Sequence, residues 1–473
     1  MPDIPHVVII GGGFGGLDAA RALAGAPVRV TLVDRHNYHL FQPLLYQVAT
    51  AALSPGDIAS PIRWVLRRQR NVQVLLAEAR TIEPSTRRVV LDAGPDETAS
   101  GPAKAGHYVP GPDETGSGPA HPGHDPLAGR CIRELSYEYL IVASGATHAY
   151  FGHPEWAARA PGLKTLDDAL AIRRQVLLAF EAAERETDPE AQKRLLTFII
   201  IGGGPTGVEL AGALAEIARQ SLREDFRSIK PESARIILLE GGPSVLGTFP
   251  EPLQRAAQES LGRLGVEVRT GSVVTGVDAE GVVWRHSSAE ASVNAGERIV
   301  AQTVLWAAGV AASPLATSLG VPLDRAGRVP AEPTLSVPGH PEIFVVGDIC
   351  SLQQDGKPLP GVAQVAKQQG THAARNVLHA VSREPLEAFH YRDYGNMATI
   401  GRGSAVADIR GIKASGFLAW LLWISVHIFS LIGFRSRIAV MTEWAWAYLT
   451  FQRRVRLITG EKLWPSSEPP RPA

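Results

Sequence analysis

The sequence predicts an α/β fold made of two similar parallel-sheet units, and three observations predict it. An apolar run at residues 6–10 leads into Gly11-x-Gly13-x-x-Gly16. A second apolar run, 195–201, leads into Gly202-x-Gly204-x-x-Gly207. Each glycine loop opens a helical stretch, and a further apolar run then ends in an acid, Asp34 after the first loop and Glu240 after the second. Strand, glycine loop, helix, strand and acid, in that order, make a Rossmann-like dinucleotide-binding unit. The first glycine allows the tight turn, the second lets the backbone approach a pyrophosphate, and the third lets helix and strand pack closely. The pyrophosphate sits on the helix N-terminus, where free N–H groups and the dipole favour anions. Phe14 and Gly15 complete the first loop, and Arg35 follows its acid.

The acids report on the ligands. Asp34 lies 18 residues beyond Gly16, the usual place for a carboxylate that holds a ribose hydroxyl. Glu240 lies 33 residues beyond Gly207, and a longer helix over 208–227 is expected to account for the difference. A glutamate there accepts both ribose hydroxyls of NADH and repels the 2′-phosphate of NADPH. Gly241 and Gly242 follow it, with no nearby Arg to receive that phosphate. Two such units in one chain indicate two dinucleotides and a hydride passed between them.

Length and composition bound the rest. The 473 residues suffice for two or three domains and a large core. Lys plus Arg equals Asp plus Glu, so bulk charge points to no nucleic acid or polyanionic partner. Cys131 and Cys350 are the only cysteines. They lack metal-ligand spacing and form no close pair of the kind a thiol-disulfide reductase needs. Residues 2–5 run straight into the first strand, so no secretory signal is expected. Within 93–130, Gly94-Pro95-Asp96-Glu97-Thr98 recurs as Gly111-Pro112-Asp113-Glu114-Thr115. This Gly-, Pro- and His-rich stretch reads as a disordered surface insertion flanked by strands. Its His107, His121 and His124 read as solvated side chains rather than a metal site. Residues 139–147 form a strand ending at Ser144-Gly145, and 164–184 has helical apolar spacing. Gly309 closes the run 304–309 as a close-approach glycine, and the strand 343–346 ends in Gly347-Asp348.

Residues 34–63, including Leu53-Ser54-Pro55-Gly56-Asp57-Ile58, resemble the type II NADH dehydrogenases, the single-chain, non-pumping NADH:quinone oxidoreductases. The likeness extends over nearly the whole chain and is close from Tyr394 to Leu457. It implies non-covalent FAD in the first unit, with Pro43 beside the flavin ring and Ser144 and Gly145 in a second flavin-contacting segment. Gly347-Asp348 matches the third flavin signature, whose Asp holds the ribityl chain. The FAD domain is then discontinuous, 1–164 and 306–390, around an NADH domain at 165–305, with a C-terminal membrane domain at 391–473. Ala363 opens a helix whose N-terminus would face the flavin, where partial positive charge favours reduced, anionic flavin. The pattern Ala363-Gln364-x-Ala366-x-Gln368 resembles the family's quinone signature, so Gln364 would reach a quinone carbonyl, with Lys367 one turn along. Glu209 sits in the first turn of the helix after Gly207. The helix dipole alone accounts for a carboxylate there. The resemblance instead places it near nicotinamide and flavin, where it tunes charge or relays protons.

The C-terminal segment points to a membrane. Residues 417–434 hold no Asp, Glu, Lys or Arg, and a second, amphipathic run spans 438–451. From Lys413 to Arg456 there are six basic residues and one acid, interleaved with Trp420, Trp423, Trp444 and Trp446. As one helix, the first run reaches about 27 Å, just short of a ~30 Å bilayer core. A buried core or dimer helix is another reading. Two helices lying in the membrane surface fit best, because basic residues flank the apolar run and Gly433 can turn the chain.

The resulting expectation is hydride transfer from NADH to FAD and two-electron reduction of a membrane quinone in a respiratory chain, without proton pumping. The protein would be peripheral on the cytoplasmic face of the cell inner membrane, and a homodimer is compatible with the family. Two alternatives share the fold: a sulfide:quinone oxidoreductase using Cys131 and Cys350, and an NADH-sensing flavoprotein without quinone turnover.

Overall fold

The computed structural model describes residues 4–95, 130–287, 296–450 and 455–459. The 93–130 insertion and its three histidines lie outside the described residues, apart from the strand ends that flank them. The chain divides into two compact units, one of Met1–His39, Pro61–Ala146 and Ala312–Tyr391, the other of Leu40–Ser60, Thr147–Ala311 and Arg392–Ala473. The sequence reading placed the corresponding boundaries at 164, 305 and 390. Leu40–Ser60 groups with the second unit because its helix Leu45–Ala49 packs on the helices Leu166–Arg185 and Pro205–Glu216.

The first unit is built on a six-stranded sheet in the order Ser336–Val337, His340–Val345, Tyr139–Val142, His6–Ile10, Arg29–Asp34, Val72–Leu76. His6–Ile10 is parallel to both of its neighbours and buried along its length, as a run of Val and Ile covered on both faces should be. The helices Phe14–Ala22 and Ala363–Ser382 pack together. A three-stranded antiparallel sheet, Glu78–Glu83, Arg88–Pro95 and Arg130–Ser136, carries the insertion between its last two strands.

The second unit repeats the plan with a four-stranded parallel sheet, Val266–Arg269, Arg235–Leu239, Thr197–Ile201 and Thr303–Trp306. The helix Leu166–Arg185 starts on a reciprocal cap. Thr165 Oγ accepts the Asp168 N–H, and the Asp168 carboxylate accepts the Thr165 N–H. The helix expected over 208–227 is shorter. It spans Pro205–Glu216 and ends in one π-helical turn, Ile217–Ser221. The chain then turns under Glu184, whose carboxylate accepts the N–H groups of Arg227, Ser228 and Ile229. The 33-residue gap is therefore helix plus a pinned loop.

Beyond residue 392, three antiparallel strands, Asn396–Gly401, Ser404–Ile409 and Ile412–Gly416, lead into the helices Phe417–Ser430 and Phe434–Thr450. Gly433, at φ +91°, turns the chain between them. The apolar run is thus two helices, and among the described residues no helix is long and apolar enough to cross a membrane.

The strand Asn396–Gly401 packs on Pro205–Glu216 at Gly212, where a Cβ would stand 1.7 Å from the Ile400 carbonyl oxygen. Backbone cannot yield as a side chain does. Gly212→Ala should therefore cost about 1–3 kcal/mol and lower the melting temperature. Gly262→Ala, on an open helix surface, should be neutral or stabilising by about 0.5–1 kcal/mol. Thermal unfolding of the two variants side by side checks the contrast.

Candidate active site

The two glycine loops share one construction. Gly11 and Gly202 adopt positive φ, +99° and +107°, where any side chain would meet backbone from the adjoining strand end. A Cβ on Gly16 would lie 1.8 Å from the Gly11 carbonyl oxygen, and one on Gly207 lies at the same distance from Gly202. Gly13 and Gly204 have nothing within 4 Å and leave the backbone open to a ligand. Each acid reaches back to its own loop. Asp34 accepts the N–H groups of Gly12 (2.5 Å) and His36 (2.7 Å). Glu240 accepts those of Gly203 (2.5 Å) and Gly242 (2.6 Å). Loop and acid are therefore one preorganised element in both units.

In the first unit, the remaining predicted residues collect around that loop. Gly11 abuts Ala143 and Ser144. Ser144 Oγ is buried without a hydrogen-bond partner among the described residues, as a side chain meant for a ligand would be. Gly347, at φ +76°, donates its N–H to Gln369 Oε1 at 2.7 Å, and Asp348 lies beside Gly361. A Cβ on Gly370 would lie 2.0 Å from the Gly15 carbonyl oxygen, so the Ala363–Ser382 helix sits directly on the loop. Arg35 is exposed, and Ala363 and Gln364 are half-buried in the first turn of their helix. These residues fit FAD.

His39 is a supporting residue that the sequence reading missed. It is buried, donates from Nδ1 to the Gly12 carbonyl at 2.9 Å, and meets the Phe14 ring edge-on at 5.1 Å. Since a carbonyl only accepts, Nδ1 carries the proton. Burial pushes the imidazole pKa down, so the ring is neutral. Gln369 was missed likewise. Lys367 is exposed, and its ammonium lies 3.9 Å from Asp18, an ion pair between helices rather than a cavity wall.

The second unit holds Gly202, Gly204, Gly207, Glu240, Glu209 and Gly309, the last at φ +79° with Phe151 beneath it. It groups with Pro43, in the short helix Gln42–Leu44. The unit contains a cavity of about 780 Å³, open mouth included. Its wall takes Tyr46 and Gln47 from one segment, Glu209 from the nucleotide-unit helix, Thr399 from the C-terminal sheet, and Trp423 and Trp444 from the two terminal helices. Trp444 Nε1 donates to Gln47 Oε1 at 2.7 Å, and Gln47 Nε2 donates to the Tyr46 hydroxyl at 2.8 Å. Arg402 lies over the Tyr448 ring at 4.2 Å, and its backbone N–H donates to Glu216; all three line the same cavity. Gln364 and Lys367 do not line it.

Glu209 is the carboxyl of this cavity whose titration is strongly shifted. Burial raises its carboxyl pKa to about 8, against a smaller opposing pull from the Thr399 backbone. The side chain is surrounded by protein yet keeps part of its surface open to the cavity, so the shift belongs to a carboxyl in a largely dry pocket. Its place in the first turn of a helix, where the resemblance puts a group near nicotinamide and flavin, did not by itself reveal this burial.

Cys350 is buried, with burial pushing its thiol up to about 12 and Gln369 donating to its sulfur at 3.7 Å. It is an inert thiol, which removes support from the sulfide-oxidising alternative.

Residues 5–370 match the pyridine nucleotide-disulphide oxidoreductase family, and 394–453 match the NDH2 C-terminal domain. The chain is 42% identical over 464 residues to the type II NADH:quinone oxidoreductase Ndh of Mycobacterium tuberculosis, covering 97% of this chain and 91% of that protein. It belongs to the type II NADH:quinone oxidoreductase family. The family places it among flavoprotein oxidoreductases, as an NADH dehydrogenase and quinone reductase. An internal alternative NAD(P)H-ubiquinone oxidoreductase of Arabidopsis thaliana is 27% identical, over 93% of this chain and 83% of that one. The fold of NDH2 from Plasmodium falciparum, in complex with NADH, superposes with a TM-score of 0.81 at 20% identity, covering 97% of this chain and all of that one.

Glu209 links proton binding to stability. With its folded pKa raised to about 8, the folded chain holds a proton that the unfolded chain releases near its ordinary value of 4.5. The stabilisation from keeping this group neutral is complete below the unfolded value and is lost as pH rises through about 8. Glu209→Gln, neutral throughout, should therefore gain melting temperature relative to the parent chain as pH goes from about 5 to about 8. Melting curves at matched pH values test this, and a constant difference across that range would show that Glu209 is not held neutral.

Proposed function

We propose that this chain oxidises NADH, carries two electrons on non-covalently bound FAD, and reduces a membrane quinone to the quinol without pumping protons. The observation that carries the reading is two complete glycine–acid loops in a chain that also holds an apolar cavity with a neutral carboxyl. Gly202, Gly204, Gly207, Gly309 and Glu240 would hold NADH. Glu240 has both carboxylate oxygens turned to backbone N–H groups at the loop, where a ribose with free hydroxyls fits and a 2′-phosphate does not. Gly11, Gly13, Phe14, Gly15, Gly16, Asp34, Arg35, Ser144, Gly145, Gly347, Asp348 and Ala363 would hold FAD, with Gln369 and His39 fixing the backbone around it. The flavin, when bound, supplies the two-electron relay between a hydride donor and a quinone.

The chain's own residues supply positioning and protons. The reaction consumes one proton from the medium for each NADH and quinone: the hydride carries one hydrogen, and the quinol needs two. Glu209, neutral below about pH 8, is placed to give that proton to a quinone oxygen and to take another from water. The cavity around it is walled by tryptophans and tyrosines and accepts a flat ring.

The terminal helices support peripheral attachment to the cytoplasmic face of the cell inner membrane. Phe417, Leu418, Phe429, Phe434, Met441 and Leu449 are all exposed, beside Arg435 and Arg437, a composition that suits an anionic lipid surface.

The test is anaerobic. NADH added to the detergent-solubilised holoprotein should bleach the flavin absorbance, a short-chain quinone should restore it, and sulfide should do neither. Bleaching without recovery would leave an NADH-responsive flavoprotein that does not use quinones. In the same assay, Glu240→Ala should raise the KM for NADH about tenfold, the loss expected for a charged hydrogen bond, and narrow the preference over NADPH.

A further inference from the structure

An exposed phenyl ring stands beside the second nucleotide loop, on a turn that does not suit it. Phe151 is 70% exposed. It and Gly152 both have positive φ, +52° and +93°, and His153 donates its backbone N–H to the Tyr150 carbonyl at 3.0 Å. This is the φ pattern of a type I′ turn, whose central positions suit Asn, Asp and Gly. A bulky residue at the first of them strains the backbone, and backbone strain of this kind gathers at ligand sites. The turn does not need the ring to hold its place. Tyr150 lies against Trp306 at 4.9 Å and donates its hydroxyl to the Ala160 carbonyl at 2.9 Å. Trp306 Nε1 donates to the Ala149 carbonyl at 3.1 Å, and the Ala149 N–H donates to the Gly309 carbonyl at 3.4 Å. With its base anchored this way, the turn presents Phe151 to solvent at its tip.

The sheet order says which part of a ligand the ring would meet. Thr197–Ile201, which leads into the glycine loop, lies between Arg235–Leu239 and Thr303–Trp306. Glu240 follows one neighbour and Ala307 to Gly309 follow the other. A dinucleotide that crosses the loop with its adenosine ribose on Glu240 therefore lays its second half along 307–309. Ala307 borders the loop, since a Cβ on Gly202 would lie 2.7 Å from its carbonyl. Two residues on, a Cβ on Gly309 would lie 2.5 Å from the Cζ of Phe151. The glycine leaves its side-chain space to the phenyl ring, which walls the half of the site away from Glu240. We propose that Phe151 is the aromatic wall against which the nicotinamide ring lies, holding that ring in position for hydride transfer. The proposal rests on the reading that the second loop takes NADH. Two flat rings bury apolar surface when they stack, and the positive charge of the oxidised nicotinamide is attracted to a phenyl face as well.

The experiment is a calorimetric titration of the oxidised holoprotein with two probes. NAD+ carries the nicotinamide and cannot reduce the flavin, whereas ADP-ribose lacks the nicotinamide. Two replacements are compared. Phe151→Asn removes the ring and suits the turn, and Phe151→Tyr keeps the ring. The expected result is NAD+ bound about fivefold more weakly by Phe151→Asn, with ADP-ribose affinity unchanged and the melting temperature no lower than the parent's. Phe151→Tyr should bind NAD+ as the parent does. In rapid mixing with NADH, Phe151→Asn should need a correspondingly higher concentration to reach half the limiting rate of flavin reduction. Parent-like NAD+ affinity in Phe151→Asn would overturn the proposal, as would a loss just as large in Phe151→Tyr. An equal loss of both probes, with a lower melting temperature, would make Phe151 a packing residue only. A parent protein that binds neither probe would instead overturn the reading beneath it.

Discussion

Both nucleotide units depend on one contact: a helix start resting directly on the carbonyl of the glycine that ends the preceding strand. At Gly16 and Gly207 there is room for a hydrogen and nothing more. The contact aims the helix N-terminus past the loop, leaves the middle glycine open, and brings the acid of the next strand within hydrogen-bond reach of the loop backbone. In the first unit the approach is repeated from the other side, where Gly370 brings a second helix onto Gly15. Anion binding by free N–H groups needs such geometry to exist before the ligand arrives.

The C-terminal helices carry two burdens on opposite faces. Outward, Phe417, Leu421, Phe429 and Met441 are exposed and apolar. Inward, Trp423 and Trp444 wall the cavity that contains Glu209. Neither helix is long and apolar enough to span a bilayer. The pull on the Glu209 carboxyl arises on the inward face, because the aromatic wall keeps water scarce around it.

Much of the site was legible in the chain because local spacing encodes it. Gly-x-Gly-x-x-Gly and an acid at the next strand end are short-range demands, met by residues that the backbone brings together without help. The Gly433 turn and the paired terminal helices were readable for similar reasons. What misled was continuity. Residues 208–227 look like one helix, but it closes in the π-helical turn Ile217–Ser221, and the loop beyond is held by Glu184, far back in the chain, through three N–H groups. A motif position does not show the pairing of Lys367 with Asp18 across two helices.

By itself, the sequence determined the fold class, the two glycine loops with their acids and the two terminal helices, since each follows from periodicity or from residues within one supersecondary unit. Only the tertiary structure decided the chemistry of the cavity. Gln47 and Trp444 stand 397 positions apart and share a hydrogen bond. Glu209 becomes a weaker acid through burial by segments distant in the chain. Such environments are sums over many long-range contacts, and no local pattern carries that sum.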